Sequence, residues 1–328
     1  MRGRERGYAL ILVMVIVTVL GLAAMVSAQV VRNVASAMSR MIDDRDNVVA
    51  AESVMSRVAF MLVTREPLEN RVCGAEGCEN GQGIRLDGTW QEVPGARSGA
   101  LSVQDEAGLF SLNGNNDRGV ANLLVLSGDG DAAPRLSATL MDFIDGDDLT
   151  RARGAEQQAY AGLGLPPPAD RPLFSRWEAL DALGWSEAVD ARSGFWNWVA
   201  AGPVDPALNV NTAPLPVIEA VSGDRRRARA FAARRDASAL ADIQEAEALL
   251  AGESGLDGVV LTLVPGRAFR VQAVFGSQRQ RRGIERRLEL GIDGEAAPFT
   301  WTEERDVTVA PTRDAEVTTT FSLGAPAS

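Results

Sequence analysis

Residues 6–32 read RGYALILVMVIVTVLGLAAMVSAQVVR, and this stretch decides the fold of the protein. The 25 residues between the two arginines carry no charge and are mostly aliphatic. As an α-helix rising about 1.5 Å per residue they would extend roughly 37 Å, enough to cross the hydrocarbon core of a bilayer. The sequence therefore predicts a membrane-spanning helix near the N-terminus.

The charges before this helix predict its orientation. Arg2, Arg4 and Arg6 are opposed only by Glu5, and a basic flank of this kind stays in the cytoplasm. We therefore expect a single-pass inner-membrane protein whose body lies in the periplasm. Two plainer interpretations stay open at this point: a simple membrane anchor, and a secretory signal that is removed after a run of small residues near Ala28.

The apolar pattern continues beyond the membrane segment. Between residues 34 and 62 apolar residues recur at spacings of three and four, with charges such as Asp43, Asp44 and Arg57 in the gaps. This is the pattern of an amphipathic helix, and Pro67 would end it. We expect one continuous helix from about residue 8 to about residue 65, first apolar all round and then amphipathic.

The composition excludes several classes of function. The chain has 328 residues, of which 46% are hydrophobic and 23% charged, with a net charge of −11. This acidity opposes binding to nucleic-acid phosphates. The chain has no His, which removes the usual neutral-pH base, and neither a Walker-type loop nor a Gly-x-Ser-x-Gly motif is present. We expect a structural protein and no enzymatic activity.

Residues 68–104 are rich in Gly and contain short apolar patches, which predict short strands and turns. Cys73 and Cys78 lie here and are the only cysteines of the chain. In an oxidising compartment such a pair closes a small disulfide loop. Half of a metal site is the alternative, but with no His and no further Cys its set of soft ligands would be incomplete.

Three short blocks follow in order along the chain. They are VQDEAGLFSLN at residues 103–113, LMDFIDGDD at residues 140–148 with Gly154, Glu156 and Tyr160 behind it, and ALNVNTAP at residues 207–214. Residues 113–255 are predicted to be mainly helical, with most of the tryptophans in their core. Residues 259–264, 269–274 and 284–290 are predicted to be strands.

The N-terminal segment resembles the class III leader of type IV pilins and pseudopilins. The resemblance implies that a prepilin peptidase cuts after Gly7 and that the new N-terminus, Tyr8, is methylated. The fifth residue after this cut is Leu12, where the major subunits have Glu. A carboxylate inside a bilayer is retained only when a partner charge neutralises it, so Leu12 indicates a minor subunit with no neighbour above it.

Behind such a leader, the three ordered blocks resemble the minor pseudopilin K family of type II secretion systems. The resemblance implies an α+β fold: a pilin-like long N-terminal helix packed on an antiparallel sheet, with a large inserted helical domain of the SAM-like or helix-hairpin-helix-like kind. It implies the minor pseudopilins I and J as partners, in a tip complex that primes the pseudopilus for protein export. The family often has Trp at the position of Phe143.

The expected organisation has six parts. They are a leader at residues 1–7, the spine helix at 8–66, the first part of the pilin-like domain at 67–114, the inserted helical domain at 115–255, the C-terminal strands at 256–292, and a poorly ordered Thr/Ala/Pro-rich tail at 293–328.

Four carboxylates crowd the second block, from Asp142, Asp145, Asp147 and Asp148. Like charges this close repel, and a hard cation with oxygen ligands would relieve them. Because calcium occurs in relatives of this pseudopilin, the block is a candidate Ca²⁺ site; the alternative is a solvated helix end. The spacing is not that of an EF-hand.

Three other functions stay open on the sequence. The ALNVNTAP block followed by Arg225, Arg226, Arg227, Arg229, Arg234 and Arg235 also resembles a helix-hairpin-helix DNA module, although the net charge opposes it. A minor pilin of a type IV pilus would share the leader. A membrane-anchored periplasmic binding protein would share only the anchor.

Overall fold

The structure is a computed structural model. It describes residues 5–74, 78, 83–93, 99–114, 116–191, 193–202, 207–250, 258–277, 280–291 and 297–309.

A single long helix, α1 (Glu5–Thr64), forms the N-terminal spine. Its segment from Leu10 onward is long and apolar enough to cross a membrane, with a mean hydropathy of 2.8 in its most apolar window. The predicted spine is therefore present, and it begins within the expected leader. The helix ends before Pro67, whose ring cannot continue a helix.

The eleven strands of the described part of the chain are short except in one sheet. In chain order they are β1 (Arg71–Val72), β2 (Ile84–Arg85), β3 (Gln91–Val93), β4 (Gly99–Asp105), β5 (Phe110–Ser111), β6 (Val199–Ala200), β7 (Leu208–Asn209), β8 (Leu261–Thr262), β9 (Ala268–Ser277), β10 (Gln280–Leu290) and β11 (Phe299–Val309). Five of them form an antiparallel sheet in the order β11-β10-β9-β4-β3.

The two faces of this sheet differ because side chains alternate along a strand. Val103 of β4, Phe269 and Val271 of β9 and Leu288 of β10 lie on one face, where they pack with the second half of α1 in a shared apolar core. The opposite face carries polar and charged side chains that are nevertheless buried, among them Gln104, Arg270, Glu285 and Arg287. Another part of the protein must therefore cover the polar face.

That covering part is the segment between β4 and β9, residues 106–262, called the helical block below. Its α-helices are α2 (Asp117–Ser127), α3 (Ala133–Ile144), α4 (Gln157–Leu163), α5 (Trp185–Ala188), α6 (Leu215–Ser222), α7 (Arg225–Ala237) and α8 (Ile243–Leu250). Shorter 3₁₀ turns occupy Glu106–Gly108, Arg176–Asp181 and Gly194–Asn197. Two parallel strand pairs, β5 with β6 and β7 with β8, tie its ends together.

The core of the helical block contains aromatic side chains. The sequence predicts that the tryptophans of this region lie in the core, and this holds for two of them. Trp185 and Trp196 are fully buried and contact Phe195 with ring centroids 5.6 and 5.3 Å apart. Trp177 and Trp198 are only half-buried. These two therefore lie at the border of the block and not in its centre.

Two expected boundaries are wrong. Residues 299–309, assigned to a poorly ordered tail, form β11 on the edge of the sheet, where Phe299 and Trp301 pack against the spine-side core. The strand predicted over residues 259–264 belongs to the helical block, because β8 pairs with β7 and Leu261 packs against the aromatic core. Residues 310–328 lie outside the described residues.

Candidate functional site

Several buried polar and charged side chains of the described residues meet at the junction between the helical block and the polar face of the sheet. It forms where the chain leaves β4, crosses the 3₁₀ turn Glu106–Gly108, and enters the helical block. The first and third sequence blocks meet at this junction. Asp105 from the first block lies beside Asn209 and Thr212 from the third.

Asp105 is fully buried and uses both carboxylate oxygens. Its Oδ1 accepts hydrogen bonds from the backbone N–H groups of Ala107 and Gly266, both at 3.0 Å. Its Oδ2 accepts from Asn209 Nδ2 and Thr212 Oγ1, both at 2.8 Å. One side chain thus links β4, the 3₁₀ turn, the end of β7 and the approach to β9. Burial raises the pKa of Asp105 to about 6, although the four hydrogen bonds oppose this rise.

The neighbouring residue, Glu106, pairs with two arginines of the sheet. Its Oε2 accepts from Arg287 Nε at 2.7 Å, and its Oε1 lies 3.5 Å from Arg270 Nη2. All three side chains are at least 96% buried. Burial, together with the positive charge of Arg176, lowers the pKa of Arg270 to about 10.

A second buried ion pair joins Arg176 of the helical block to Glu285 of β10. Gln272 of β9 also donates a hydrogen bond to Glu285. Burial would raise the pKa of Glu285, but Arg176 and Arg270 outweigh it and hold this pKa below its ordinary value. Buried charges of this kind need their partners, because an uncompensated charge in a low dielectric costs several kcal/mol.

Amide side chains from the blocks complete the junction by bonding to main-chain groups. Asn113 donates to the carbonyl of Leu173 at 2.9 Å and accepts from its N–H at 2.7 Å. Asn211 makes the same two-way contact with Leu240, both at 2.9 Å. Gln104 donates to the carbonyl of Thr212 at 3.1 Å. The motif residues therefore hold distant loops in register, which is a structural task.

The sheet side of this junction was not predicted from the sequence. Arg270 lies between apolar residues of β9, and Glu285 and Arg287 lie on the same face of β10 between Ile284 and Leu288. Charged residues at alternate strand positions ordinarily indicate a solvated face. One signal in the sequence could have indicated that these residues are buried and paired: acidic and basic residues occur together on the same face of the strands.

The predicted processing residues lie in the first turns of the spine. Gly7 and Tyr8 are both within α1, which begins at Glu5. Cleavage between them stays a prediction. Leu12 follows on the apolar, exposed part of the same helix.

Cys73 and Cys78 form a disulfide in the structure, with their Cα atoms 5.0 Å apart. It closes the loop that follows β1. The carbonyl of Cys73 accepts a hydrogen bond from Arg65 Nη1 at 3.3 Å, which ties this loop to the end of the spine. Both thiols are therefore used in the disulfide, and neither is free to bind a metal ion.

The four aspartates of the second block do not converge on one point. Arg151 donates to Asp142 Oδ1 at 2.9 Å and also pairs with Asp145. Asp147 and Asp148 lie exposed in the following loop, where Asp147 accepts from the backbone N–H of Leu149. Within the described residues, no group of three or more acidic or Cys side chains is arranged to hold a metal ion.

A carboxylate outside the predicted set, Glu156, faces this cluster. It is 92% buried, and burial followed by the negative charges of Asp142 and Asp145 raises its pKa to about 7, with Asp170 and Asp148 adding to the effect. Over the part of the chain that the structure describes, Glu156 Oε1 and Asp145 Oδ1 are buried oxygens without a hydrogen-bond partner. Two orphaned acceptors suit the oxygen chemistry of a hard cation.

The helix pair α6 and α7 has the connectivity of a helix-hairpin-helix, with Gly223 in the left-handed conformation at the turn. However, the Asp224 carboxylate accepts hydrogen bonds from the N–H groups of Arg226 and Arg227 at 2.8 and 3.0 Å. These N–H groups are the ones a phosphate would need. Arg235 is buried and donates to the carbonyls of Val210 and Ala213, so it serves the fold.

Two family models match the chain, and both describe type II secretion system (T2SS) protein K. The first matches residues 105–192 and the second residues 208–263. The matched segments contain Asp105, Asn209 and Thr212, the three residues that form the centre of the junction. No curated protein sequence matches the chain.

Among solved structures, the fold is similar to a chain in the crystal structure of the GspK-GspI-GspJ complex from the type 2 secretion system of enterotoxigenic Escherichia coli. The TM-score is 0.53 at 20% sequence identity, and the match covers 79% of this chain and 94% of that chain. This likeness confirms the α+β fold, with its long N-terminal helix, antiparallel sheet and helical block. With the two family models matched in chain order, the chain is similar to type II secretion system protein K over both matched segments.

Proposed function

We propose that this protein is the minor pseudopilin K of a type II secretion system, a structural subunit without enzymatic activity. It would join the minor pseudopilins I and J in a tip complex that primes the pseudopilus for export across the outer membrane. The match to two family models of protein K supports the class of protein. The similar solved chain comes from a GspK-GspI-GspJ complex, which supports the same two partners for this chain.

The observation that carries this proposal is an apolar stripe on α1, on the side away from the sheet. At about 100° per residue, its members lie within about 60° of one another and nearly opposite the buried face formed by Val54, Val58 and Leu62. The apolar residues of the stripe are Met38, Ile42, Val49, Phe60 and Val63, which are 37–63% exposed. Arg45 and Ser56 are the polar residues in the same sector. Such a stripe suits packing against the spine helices of neighbouring subunits.

The N-terminal half of α1 supports insertion in the inner membrane. Its aliphatic residues from Leu10 to Val31 are exposed on every side of the helix, as lipid contact requires. The basic flank argues for a cytoplasmic N-terminus and a periplasmic body. Leu12 in place of an acidic residue supports a position at the filament tip, where no subunit above needs a charge partner.

The helical block supports the same position. It covers the sheet on the face opposite the spine and is fixed there by the buried ion pairs of Arg176 and Arg287. A head widened and stiffened in this way would overlap a subunit stacked above it, whereas the stripe on α1 stays open to neighbours below.

Mass spectrometry of the mature N-terminus tests whether the protein is processed as a pilin. A chain that begins at methylated Tyr8 after expression with the prepilin peptidase is the expected result. A chain that retains Met1 contradicts the pilin assignment and favours a plain anchor. A chain that begins near Gln29 favours a secreted protein and also contradicts the pilin assignment.

We also propose that the acidic cluster of the helical block binds Ca²⁺. These carboxylates do not converge in the structure, so Asp142 and Asp145 would turn from Arg151 and supply the inner oxygens together with Glu156. Asp148 and Asp170 lie nearby. Bound Ca²⁺ would supply the positive charge that the two partnerless oxygens of Asp145 and Glu156 lack. Arg151 now neutralises part of this cluster, so cation binding would compete with the Arg151 ion pairs.

A further inference from the structure

A solvent-open cleft of about 240 Å³ lies at the border between the sheet and the helical block. Trp90, from the loop before β3, and Trp198, which follows a 3₁₀ turn of the helical block, both line it. Both indoles are half-buried. Trp90 belongs to neither apolar core, and Trp198 packs only against the edge of the core that contains Trp185 and Trp196. Nothing in the assembly proposed above uses this cleft.

The floor of the cleft is polar, but its charges are already compensated. Arg270 lines the cleft and is paired with Glu106, while Asp87 is paired with Arg85. Gln272 and Gln104 also line it, and each donates a hydrogen bond within the protein. A charged ligand would therefore find no free countercharge among these residues, so the cleft favours a neutral ligand.

Several hydrogen-bonding groups of the cleft are nevertheless unused. In the part of the chain that is described, the side chains of Trp90, Trp198 and Asn197 have no hydrogen-bond partner. Arg270 Nε is buried and likewise lacks one. The two indoles and the Asn197 amide lie where a ligand can reach them from solvent.

We propose that this cleft binds one sugar ring of a neutral saccharide. A ligand here must offer an apolar face to the indoles, hydroxyl or amide groups to the polar floor, and no net charge. A sugar ring with hydroxyl or N-acetyl substituents meets all three conditions. Ligand pockets for larger molecules enclose about 300–1,000 Å³, so a cleft of this size accommodates about one ring, and a longer glycan would pass across its opening.

Saccharide titration of the full-length protein tests this proposal. The protein is kept in a polyoxyethylene detergent, because the head group of a glycoside detergent would compete. Tri-N-acetylglucosamine and maltotriose are titrated separately while intrinsic tryptophan fluorescence is followed. We expect a saturable change with at least one of them, and a preference for the N-acetylated trimer would point to cell-wall glycan as the natural source.

The variants Trp90→Ala, Trp198→Ala and Asn197→Ala should each weaken this binding about tenfold or more. Trp198→Phe, which keeps an aromatic face, should retain most of it. Trp301→Ala removes a half-buried Trp that packs on the spine side of β11, at the sheet edge opposite β3, and does not line the cleft. This variant should leave the affinity unchanged. No saturable change with either sugar, or equal binding by the wild type and the Trp90 and Trp198 variants, would overturn the proposal without affecting the assembly function.

Discussion

Asp105 and Asn209 are separated by 104 residues of sequence, yet their side chains are joined by a 2.8 Å hydrogen bond inside the protein. The first residue ends a strand of the sheet, and the second ends a strand of the helical block. Because Asp105 also bonds to Thr212 and Gly266, it fixes the start and the end of the helical block to the same strand.

Asp105→Asn should destabilise the folded body by about 2–4 kcal/mol at neutral pH. The amide that replaces the carboxylate keeps only one acceptor oxygen, so at least one buried donor loses its partner. Urea unfolding of the full chain in detergent, followed by tryptophan fluorescence, measures this. Asp131→Asn, at an exposed position, is the control and should change stability by less than about 0.5 kcal/mol.

The cost of Asp105→Asn should also depend on pH. The folded-state pKa of Asp105, about 6, lies above its ordinary value of 3.8, so the folded state retains the proton longer than the unfolded state. Its contribution to stability is therefore greatest below about pH 4 and falls, by on the order of 3 kcal/mol, as the pH rises through 6. The stability difference between wild type and variant should shrink between pH 4 and pH 7. A difference that grows with pH would refute the raised pKa.

Glu285→Gln should cost about 3–5 kcal/mol, since it leaves the buried Arg176 without its counterion. The double variant Arg176→Met with Glu285→Met should recover much of this loss. The exposed pair of Arg282 and Asp44 provides the contrast, and Asp44→Asn should cost no more than about 1 kcal/mol. Equal losses for the buried and the exposed pair would show that the junction does not hold the helical block in place.

Millimolar Ca²⁺ should raise the thermal midpoint of the wild-type protein, because a ligand that binds only the folded state stabilises it. The shift should vanish in Glu156→Gln and in Asp145→Asn, and it should persist in Asp131→Asn. Scanning fluorimetry with Ca²⁺, and separately with a chelator, gives the comparison. An unchanged midpoint in the wild type would contradict the proposed Ca²⁺ site.

The spine and the general architecture could be predicted because their signals are local. An uncharged segment of 25 residues and the period of apolar residues behind it require no knowledge of the rest of the chain. The strand β11 was missed for the converse reason. Its sequence, FTWTEERDVTV, is mostly polar, and it is a strand because its backbone pairs with β10 along an edge.

The junction could be predicted only in part, because burial of a charge depends on distant partners. The sequence blocks drew attention to Asp105, Asn209 and Thr212. They did not indicate that these three residues contact one another. Glu156 was noted beside the aspartates without a role, since its orientation toward them results from the packing of α3 and α4 and not from sequence spacing.

Co-assembly with minor pseudopilins I and J in detergent tests the central claim most directly. Size-exclusion chromatography with light scattering should detect a complex of the three full-length chains. Phe60→Glu on the exposed stripe should abolish it, whereas Val125→Glu, at an exposed apolar position of α2, should not. Failure of the wild-type chain to join the other two subunits, or unimpaired assembly by Phe60→Glu, would contradict the account.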